Sequence, residues 1–487
     1  MARVRQAGAI VASIARGAAI CAISLVCVIA YTAGSLRRLA IGDPTERALH
    51  RARQRGALFR WCFSRLGATF IKVGQVMSTR ADLFAPAVID ELRELQDRVR
   101  PFAFARVRRI LERELGRPLS SIFISLDRTP LAAGSIAQVH RGLLRTGEEV
   151  AVKVLRPHVR ARVHRDARLM LWLAHVAHVL SARARAGDVI GHTRSLVSGI
   201  IVQTDLAREA DHLERFRADF AGTPGLEFPR VLRSVSRGGV LTMSLVHGVH
   251  LEHVPREHVA QVTRVLRDAF FAMCFEHGLV HADLHPGNIL VGPDATVFIL
   301  DVGLVKYLDE AAITRLLELT RALVLGTPDE LVAHLRDHHP HAPTTDWDAV
   351  ALDAGAFVDR LRRIRIADLE AAEVVGDLFS LARRHGIRPL PELSLVLLGM
   401  VTIEGIAKRL DPNANTLAEI ARYLAPRIAH TPLARGSRER LEPPLGVRTG
   451  CDSDRVPPPS LRVSPPDPLP LDGTCDAPPP TVARRSE

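Results

Sequence analysis

Residues 281–288 read His-Ala-Asp-Leu-His-Pro-Gly-Asn, and residues 299–303 read Ile-Leu-Asp-Val-Gly. Three polar side chains stand out in these stretches: Asp283, Asn288 five residues later, and Asp301 thirteen residues beyond that. The apolar runs 289–291 and 297–300, separated by a Gly-Pro-Asp-Ala turn, predict a β-hairpin. Such a hairpin would bring Asn288 and Asp301 together at the mouth of one cleft.

These three residues have the chemistry that phosphoryl transfer requires. Mg²⁺ prefers hard oxygen ligands and nucleotide phosphates, and the side chains of Asn288 and Asp301 supply such oxygens. Asp283 is then placed to orient or deprotonate an attacking hydroxyl or water. A polar turn between two core strands is the alternative, but the order and spacing of the three residues favour a site.

A second cluster lies upstream. Residues 149–155 alternate as a β-strand, which places Lys153 on the face opposite Val152 and Val154. The small-residue turn before it would let backbone N–H groups approach a phosphate. The turn residues predicted to bind a nucleotide together with Lys153 are Ala132, Ala133, Gly134, Ser135 and Ile136. An ordinary hairpin with a solvated lysine is the alternative.

A partner for Lys153 is expected on a later helix. The helical segment 196–220 contains Glu209, which would hold the Lys153 ammonium over the phosphates. Asp205 and Asp211 lie close to Glu209 in sequence, and composition alone does not separate the three carboxylates. Glu209 is the preferred partner.

Residues 68–80 predict an amphipathic helix in which Lys72 and Gln75 share one face. The apolar residues at helical spacing are Phe70, Val73 and Met77. A surface helix is the ordinary interpretation. Two observations favour a function: Lys72 is one of four lysines in a chain with 65 Lys and Arg, and Gly74 is costly inside a helix. A glycine there indicates close approach by another part of the chain.

Composition narrows the class of protein. The 487 residues are enough for two or three domains, and 47% hydrophobic with 24% charged residues is typical of globular chains. Six cysteines without a CxxC pair indicate reduced thiols, and a structural zinc site is not supported. A net charge of +12 suggests nucleic acid or an anionic membrane surface. An aromatic content of 5% without an RNA-binding motif argues against nucleic acid as a partner.

Residues 17–36 carry no charge, and at about 1.5 Å per residue they would match a hydrocarbon core of roughly 30 Å. A transmembrane or membrane-anchor segment is therefore expected over 1–36. A signal peptide and a buried helix are the alternatives. The flank after the apolar run is richer in arginine than the flank before it, so a cytoplasmic body is favoured.

The C-terminal part is predicted to be helical from residue 310 to about 428. Four histidines cluster near Pro340: His334, His338, His339 and His341. A metal site is one interpretation, and a solvated polar loop is preferred. From residue 431 to 487 proline recurs without apolar periodicity, which predicts a disordered tail that could bind a partner.

Together these motifs resemble those of the UbiB/AarF (ADCK) family of atypical, protein-kinase-like proteins over roughly residues 60–410. The most specific match is the run 72–75, Lys-Val-Gly-Gln, which resembles the family's KxGQ motif. Residues 78–80, 95–97, 132–140 and 281–288 also look like family motifs in family order. Gly134, where many members have a third alanine, is a departure.

The resemblance implies an α+β, two-lobed protein-kinase-like fold with an N-terminal helical extension and a membrane-spanning helix. The expected segments are 37–125 for the extension, 126–250 for the N-lobe and 251–430 for the C-lobe. Lys72 and Gln75 would project into the cleft and block the groove for a protein substrate. The other implied roles are Lys153 for phosphate binding with Glu209 as its helix partner, Asp283 as the catalytic aspartate, and Asn288 and Asp301 as Mg²⁺ ligands.

The leading hypothesis is a membrane-anchored atypical kinase or ATPase that uses ATP and Mg²⁺ and supports isoprenoid quinone (ubiquinone) biosynthesis. The alternatives are a small-molecule kinase of the aminoglycoside or choline kinase type, and a non-catalytic ATP-sensing scaffold. The expected partners are a membrane lipid or quinone precursor and lipid-modifying enzymes; a homodimer is left open. The expected location is a bacterial inner membrane, with the kinase-like domain in the cytoplasm.

Overall fold

The computed structural model describes residues 2–38, 42–78, 84–95, 100–181, 185, 188–324, 326–364, 370–411 and 423. Parts of the sequence-based expectations fall outside these residues. They include the proline-rich tail at 431–487, positions 79–80, positions 96–97 and most of the predicted helical region after residue 411. The division of the chain into five segments stays a prediction.

An extension of four helices opens the fold: α1 (Ala2–Arg38), α2 (Pro44–Leu66), α3 (Ala68–Ser78) and α4 (Pro86–Arg93). The carboxylate of Asp43 caps α2 by accepting hydrogen bonds from the first-turn amides, and Gly67 with a φ of 86° ends this helix. The apolar face of α3 is buried in the main core, as its spacing predicted.

A five-stranded antiparallel sheet forms the first lobe. Its strands are β1 (Phe123–Leu126), β2 (Ala132–Ala133), β3 (Ala137–Leu144), β4 (Glu149–Leu155) and β6 (Val240–Ser244). Their order in the sheet is β1-β3-β4-β6, with β2 paired to β3. Alternation along β4 buries its valines in a small core with α5 (Phe104–Leu115). Lys153 therefore points to the other face, as predicted.

Three further helices complete this lobe: α6 (Val159–Leu180), α7 (Val189–Val202) and α8 (Leu206–Asp219). Asp205 caps α8, and its carboxylate accepts hydrogen bonds from the amides of Ala207 and Arg208. Glu209 follows in the first turn and is buried. The N-cap therefore determines where Glu209 faces.

The second lobe carries a four-stranded sheet in the order β5-β10-β9-β7 and a two-stranded β11-β8 pair. Its strands are β5 (Leu226–Glu227), β7 (Val249–His250), β8 (Leu279–His281), β9 (Ile289–Val291), β10 (Val297–Ile299) and β11 (Val305–Tyr307). The helices are α9 (Arg256–Phe275), α10 (Glu310–Val324), α11 (Pro328–His338), α12 (Trp347–Arg363), α13 (Ala371–Arg384) and α14 (Pro391–Leu410). The predicted α+β, two-lobed fold with a helical extension is confirmed.

Helix α1 is the described helix that is long and apolar enough to cross a membrane, over Arg16–Ser35 with a mean hydropathy of 2.0. It also packs along α2, where Gln54 Nε2 donates to the carbonyl of Ala30 at 3.0 Å. Its outward face exposes four large apolar side chains: Leu25, Val26, Val28 and Ile29.

The middle of α1 is joined to the first lobe by a buried ion pair. Arg16 Nε lies 2.9 Å from Asp166 Oδ1 on α6, and its Nη2 lies 3.1 Å from Asp166 Oδ2. The same Nη2 donates to the Leu66 carbonyl at 2.7 Å. The side chain of Asp166 is fully buried. This contact fixes α1 to the body of the protein.

The solvated loop expected around the four C-terminal histidines is confirmed only in part: residues 339–346 lie outside the helices and His341 among them is exposed, but the other three histidines differ. His334 and His338 belong to α11, and both His334 and His339 are buried. Only His341 of the four is exposed. Burial, with smaller contributions from the neighbouring His339 and His338, lowers the pKa of His334 to about 3.

Candidate active site

One cavity of about 700 Å³ lies between the two lobes. Its walls come from the β2–β3 turn, β4, α8 and the loops after β8 and β10. All predicted catalytic, nucleotide-binding and metal-binding residues line it: Ala132, Ala133, Gly134, Ser135, Ile136, Lys153, Glu209, Asp283, Asn288 and Asp301. Lys72 joins them from the extension. The volume is within the range of about 300–1,000 Å³ found for small-molecule sites.

Lys153 bridges two carboxylates at this cavity. Its Nζ lies 2.6 Å from Glu209 Oε1 and 2.8 Å from Asp301 Oδ2. Of the two rival carboxylates, Asp205 caps α8 and Asp211 pairs with Arg233. The structure thus brings Glu209 to Lys153, and not its rivals. The side chain of Glu209 is 2% exposed, whereas that of Asp301 is 43% exposed at the cavity.

The three charges shift one another's pKa. Burial alone would lower the pKa of Lys153, but the charges of Asp301 and Glu209 outweigh it and raise that pKa. Burial raises the pKa of Glu209 to about 7, with Lys153 opposing and Asp301 adding to the shift. Burial would also raise the pKa of Asp301, but Lys153 holds it well below its usual range. Asp301 therefore stays ionised, as a metal ligand must.

His281 joins the two acidic loops, a role that the sequence analysis missed. Its Nδ1 accepts a hydrogen bond from the Asp283 amide at 3.1 Å, so the ring proton is assigned to Nε2. Nε2 then donates to the Asp301 carbonyl at 2.5 Å. Burial lowers the pKa of His281, which favours the neutral ring that both bonds require. A histidine that ends the buried strand β8 just before Asp283 was the available signal.

Asp283 is paired with the extension helix α3. Lys72 Nζ lies 3.2 Å from Asp283 Oδ2 across 211 residues of sequence. Burial alone would raise the pKa of Asp283, but Lys72, with smaller contributions from His285 and His281, outweighs it and lowers the pKa. Asp283 is therefore ionised and paired with Lys72. Its lowered pKa makes it a weak base, but the carboxylate is a good acceptor for an orienting hydrogen bond.

If the cavity turns over nucleotides, as the motifs imply, removal of the Lys72 charge is expected to shift the pH dependence of that turnover. In Lys72→Met the pKa of Asp283 rises, because the opposing charge is lost while burial remains. As the solution is acidified, Asp283 is then protonated at a higher pH than in the wild type. Turnover that needs the ionised carboxylate is lost at that higher pH. The measurement is a pH profile of turnover, with Lys306→Met as the control, since Lys306 is exposed on β11. An acid limb at the wild-type pH in Lys72→Met would contradict this.

Asn288 and Asp301 are adjacent, as the predicted hairpin requires. Ile289 pairs with Ile299 in the register of β9 and β10, and the Leu300 amide donates to the Asn288 carbonyl at 2.9 Å. Asn288 Nδ2 donates to the Asp283 carbonyl at 3.2 Å, which leaves its side-chain oxygen as the ligand atom. Oxygen donors from Asn288 and an ionised Asp301, beside a cavity, fit Mg²⁺.

Gln75 differs from the expectation that it projects into the cleft with Lys72. Its Nε2 donates to the Leu95 carbonyl at 3.2 Å, and Gln75 is absent from the cavity wall. Gly74 does mark a close approach, as expected. A Cβ at Gly74 would lie 2.2 Å from Leu95 Cδ1 and 2.8 Å from Phe63 Cδ2. Lys72 reaches the cleft because α3 packs this closely on α2.

The small-residue turn is closed by its own backbone. The Gly134 amide donates to the Ala137 carbonyl at 2.9 Å, so this N–H is not directed at a phosphate as the sequence suggested. Arg156 Nε donates to the Gly134 carbonyl at 2.8 Å and ties the turn to the end of β4. The turn still lines the cavity, so its small side chains leave space for a ligand.

Two polar residues of the same motif hold the first lobe together. Gln138 is buried, and its side chain pairs with the Phe102 amide at 3.0 Å and with His140 Nε2 at 2.8 Å. His140 Nδ1 reaches the Asp127 carbonyl at 2.8 Å. Burial lowers the pKa of His140, so it serves as a neutral hydrogen-bonding group. Motif residues 138 and 140 are thus structural here.

Comparison with known proteins gives a consistent result. Residues 94–335 match the ABC1 atypical kinase-like domain, and residues 355–415 match the UbiB helical domain. A "Probable protein kinase UbiB" from Aeromonas salmonicida is 33% identical over 384 residues, covering 76% of this chain and 70% of that protein. The "Protein ACTIVITY OF BC1 COMPLEX KINASE 7, chloroplastic" from Arabidopsis thaliana is 30% identical over 78% of this chain. The chain spans 56% of that longer relative.

Among solved structures, the chain is similar to that of the complex of Rv3197 with erythromycin from Mycobacterium tuberculosis. The two share 22% sequence identity and a TM-score of 0.48. The match covers 64% of this chain and 84% of the other.

Proposed function

Because the chain belongs to the UbiB family of ABC1 atypical kinase-like proteins, we propose that it binds Mg-ATP in the interlobe cavity and transfers or hydrolyses the terminal phosphoryl group. The two curated relatives described above both carry kinase in their names. The observation that carries the proposal is the convergence of Lys153, Asp283 and Asp301 on one cavity. We further propose that this activity supports ubiquinone-type quinone biosynthesis, as the UbiB name implies.

The residues of the site divide the work of phosphoryl transfer. Lys153, kept charged by its carboxylate partners, binds phosphate oxygens as a point charge, and Glu209 keeps it in position. Asn288 and Asp301 would hold Mg²⁺, which would neutralise charge on the phosphates. Asp283 orients the attacking hydroxyl or water, and its lowered pKa makes orientation a larger part of its role than proton removal.

The acceptor is proposed to be small or lipidic rather than a protein side chain. Lys72 Nζ lies within hydrogen-bonding distance of Asp283, in the position that an attacking hydroxyl would have to take. A flexible small acceptor can approach after a shift of one lysine side chain, whereas a folded protein would also have to displace α3. The regulatory role proposed for Lys72 follows from this contact. Gln75 would support it by fixing α3 to the segment after α4.

Helix α1 is proposed to attach the protein to a membrane. Its outward face exposes Leu25, Val26, Val28 and Ile29, and arginine is abundant in the adjoining α2. Apolar side chains flanked by cationic ones favour the interface of an anionic bilayer. Attachment here would bring the cavity near lipid substrates, with the two lobes on the cytoplasmic side.

A deletion strain tests the proposed function. Quinones and their precursors are measured in the strain complemented with the wild type, Asp283→Asn or Asp294→Asn. Asp294 is an exposed turn residue between β9 and β10, bonded to Thr296. We expect the wild type and Asp294→Asn to restore quinone, and Asp283→Asn to leave a precursor accumulated. A normal quinone profile in the deletion strain would contradict the quinone assignment, and rescue by Asp283→Asn would favour a scaffold.

Fractionation of the same cells tests the membrane attachment. We expect the wild-type chain to remain in the membrane pellet after a salt wash, and recovery in the soluble fraction would contradict the anchor.

A further inference from the structure

A cluster of side chains outside the cavity is arranged as metal ligands usually are. Glu318 on α10 faces His334 and His338 on α11, and their ligand atoms all lie within 4.8 Å of one another. The two histidines are four residues apart, which places them on one face of the helix. Helices α10 and α11 thus bring two imidazoles and one carboxylate close together.

His334 is the observation that an ordinary polar cluster does not explain. Its side chain is 4% exposed, and within the part of the chain that the structure describes neither ring nitrogen has a hydrogen-bond partner. Buried polar groups are nearly always satisfied, so such a residue requires an explanation. His338 and Glu318 pair with each other at 3.2 Å, which accounts for those two groups but not for His334.

The two distances from Glu318 to the histidines are close to those around a tetrahedral ion. With metal–ligand bonds of about 2.0–2.2 Å, neighbouring ligand atoms in a tetrahedron lie about 3.3–3.6 Å apart. Glu318 Oε2 lies 3.2 Å from His338 Nε2 and 3.9 Å from His334 Nδ1, on either side of that range. The nearby cation Arg315 is paired with Glu392 at 3.2 Å, which reduces its repulsion of a bound ion.

We propose that Glu318, His334 and His338 form a zinc site that joins α10 to α11. Two imidazoles and one carboxylate are a donor set that zinc accepts, with a water in the fourth position. His339 lies beside His334, with ring centroids 5.6 Å apart. Its Nδ1 reaches the Arg388 carbonyl at 3.2 Å, and its buried Nε2 has no partner among the described residues. A metal-bound water would offer that nitrogen a hydrogen bond.

Metal content of the full-length chain tests the proposal. The protein carries a tag without histidine, is dialysed in detergent against Zn²⁺ with excess Mg²⁺, and is measured by mass spectrometry of the metal. Cobalt substitution then reports the geometry through its visible absorption. We expect about one zinc per chain, and an affinity at least about tenfold lower in His334→Asn, His338→Gln and Glu318→Gln, since loss of even an outer partner has that effect.

The controls separate this site from background and from the cavity. His341→Gln removes an exposed histidine near the cluster and should bind zinc as the wild type does. Asp301→Asn should also keep its zinc. His338 and Glu318 are partly exposed, so their variants carry the test even where His334→Asn does not fold, as judged by circular dichroism. Zinc binding no higher than one tenth of a mole per chain, or equal binding by His338→Gln and the wild type, would overturn the site.

Discussion

Asp301→Asn is expected to reduce Mg-nucleotide turnover by about 10²- to 10³-fold, the range for losing one preorganised electrostatic contact at a reaction centre. The amide keeps the shape of the side chain, but it removes the negative charge that Lys153 contacts at 2.8 Å and that a divalent ion would bind. The measurement is the rate of ADP release by the full-length chain in detergent or vesicles, at saturating Mg-ATP.

The fold should survive this change. Lys153 keeps Glu209 at 2.6 Å, and the loss of the Asp301 charge lowers the pKa of Glu209 because that charge helps to raise it. Thermal denaturation should therefore stay close to that of Asp294→Asn, which alters an exposed carboxylate in the hairpin turn before the same strand. Turnover by Asp301→Asn within twofold of the wild type would remove Asp301 from the site.

Arg16→Ala is expected to destabilise the protein by about 3–5 kcal/mol, because it leaves a buried charge without its partner. The fully buried Asp166 loses both hydrogen bonds from the guanidinium, and the Leu66 carbonyl loses its donor. The measurement is chemical denaturation of the full-length chain in detergent.

Two comparisons distinguish a buried pair from a surface pair. Arg233→Ala breaks contacts of 2.6 Å to Asp211 and Glu214, but these side chains are exposed, so a loss of about 0–1 kcal/mol is expected. The double variant Arg16→Met with Asp166→Leu should recover most of the lost stability, because apolar residues of similar size replace such pairs well. Equal losses in Arg16→Ala and Arg233→Ala would refute the buried-pair account.

The sequence predicted those parts of the site that depend on local periodicity. The hairpin between Asn288 and Asp301 followed from two apolar runs and a turn, and the face of Lys153 followed from strand alternation. Both depend on neighbours a few residues apart. The preference for Glu209 over Asp205 and Asp211 could not come from composition, since it depends on which of the three carboxylates becomes the helix cap.

What the sequence did not reveal depends on tertiary packing. Gln75 shares a helix face with Lys72, yet the side chain of Gln75 bonds to the backbone after α4 and does not line the cavity. No role was predicted for His281, because its role requires the Asp301 carbonyl, twenty residues later. The histidines near Pro340 suggested a solvated loop, because burial of α11 against α10 has no local signature.

The contact between Lys72 and Asp283 has a consequence for the order in which the chain is made. At about 5–20 residues per second, Asp283 leaves the ribosome roughly 10–40 s after Lys72, from which it is separated by 211 residues. Helices α2, α3 and α4 contact one another through neighbouring segments, so they have time to pack before the second lobe exists. Helix α3, which we propose restricts the site, can therefore pack before the loop that carries Asp283 has been synthesised.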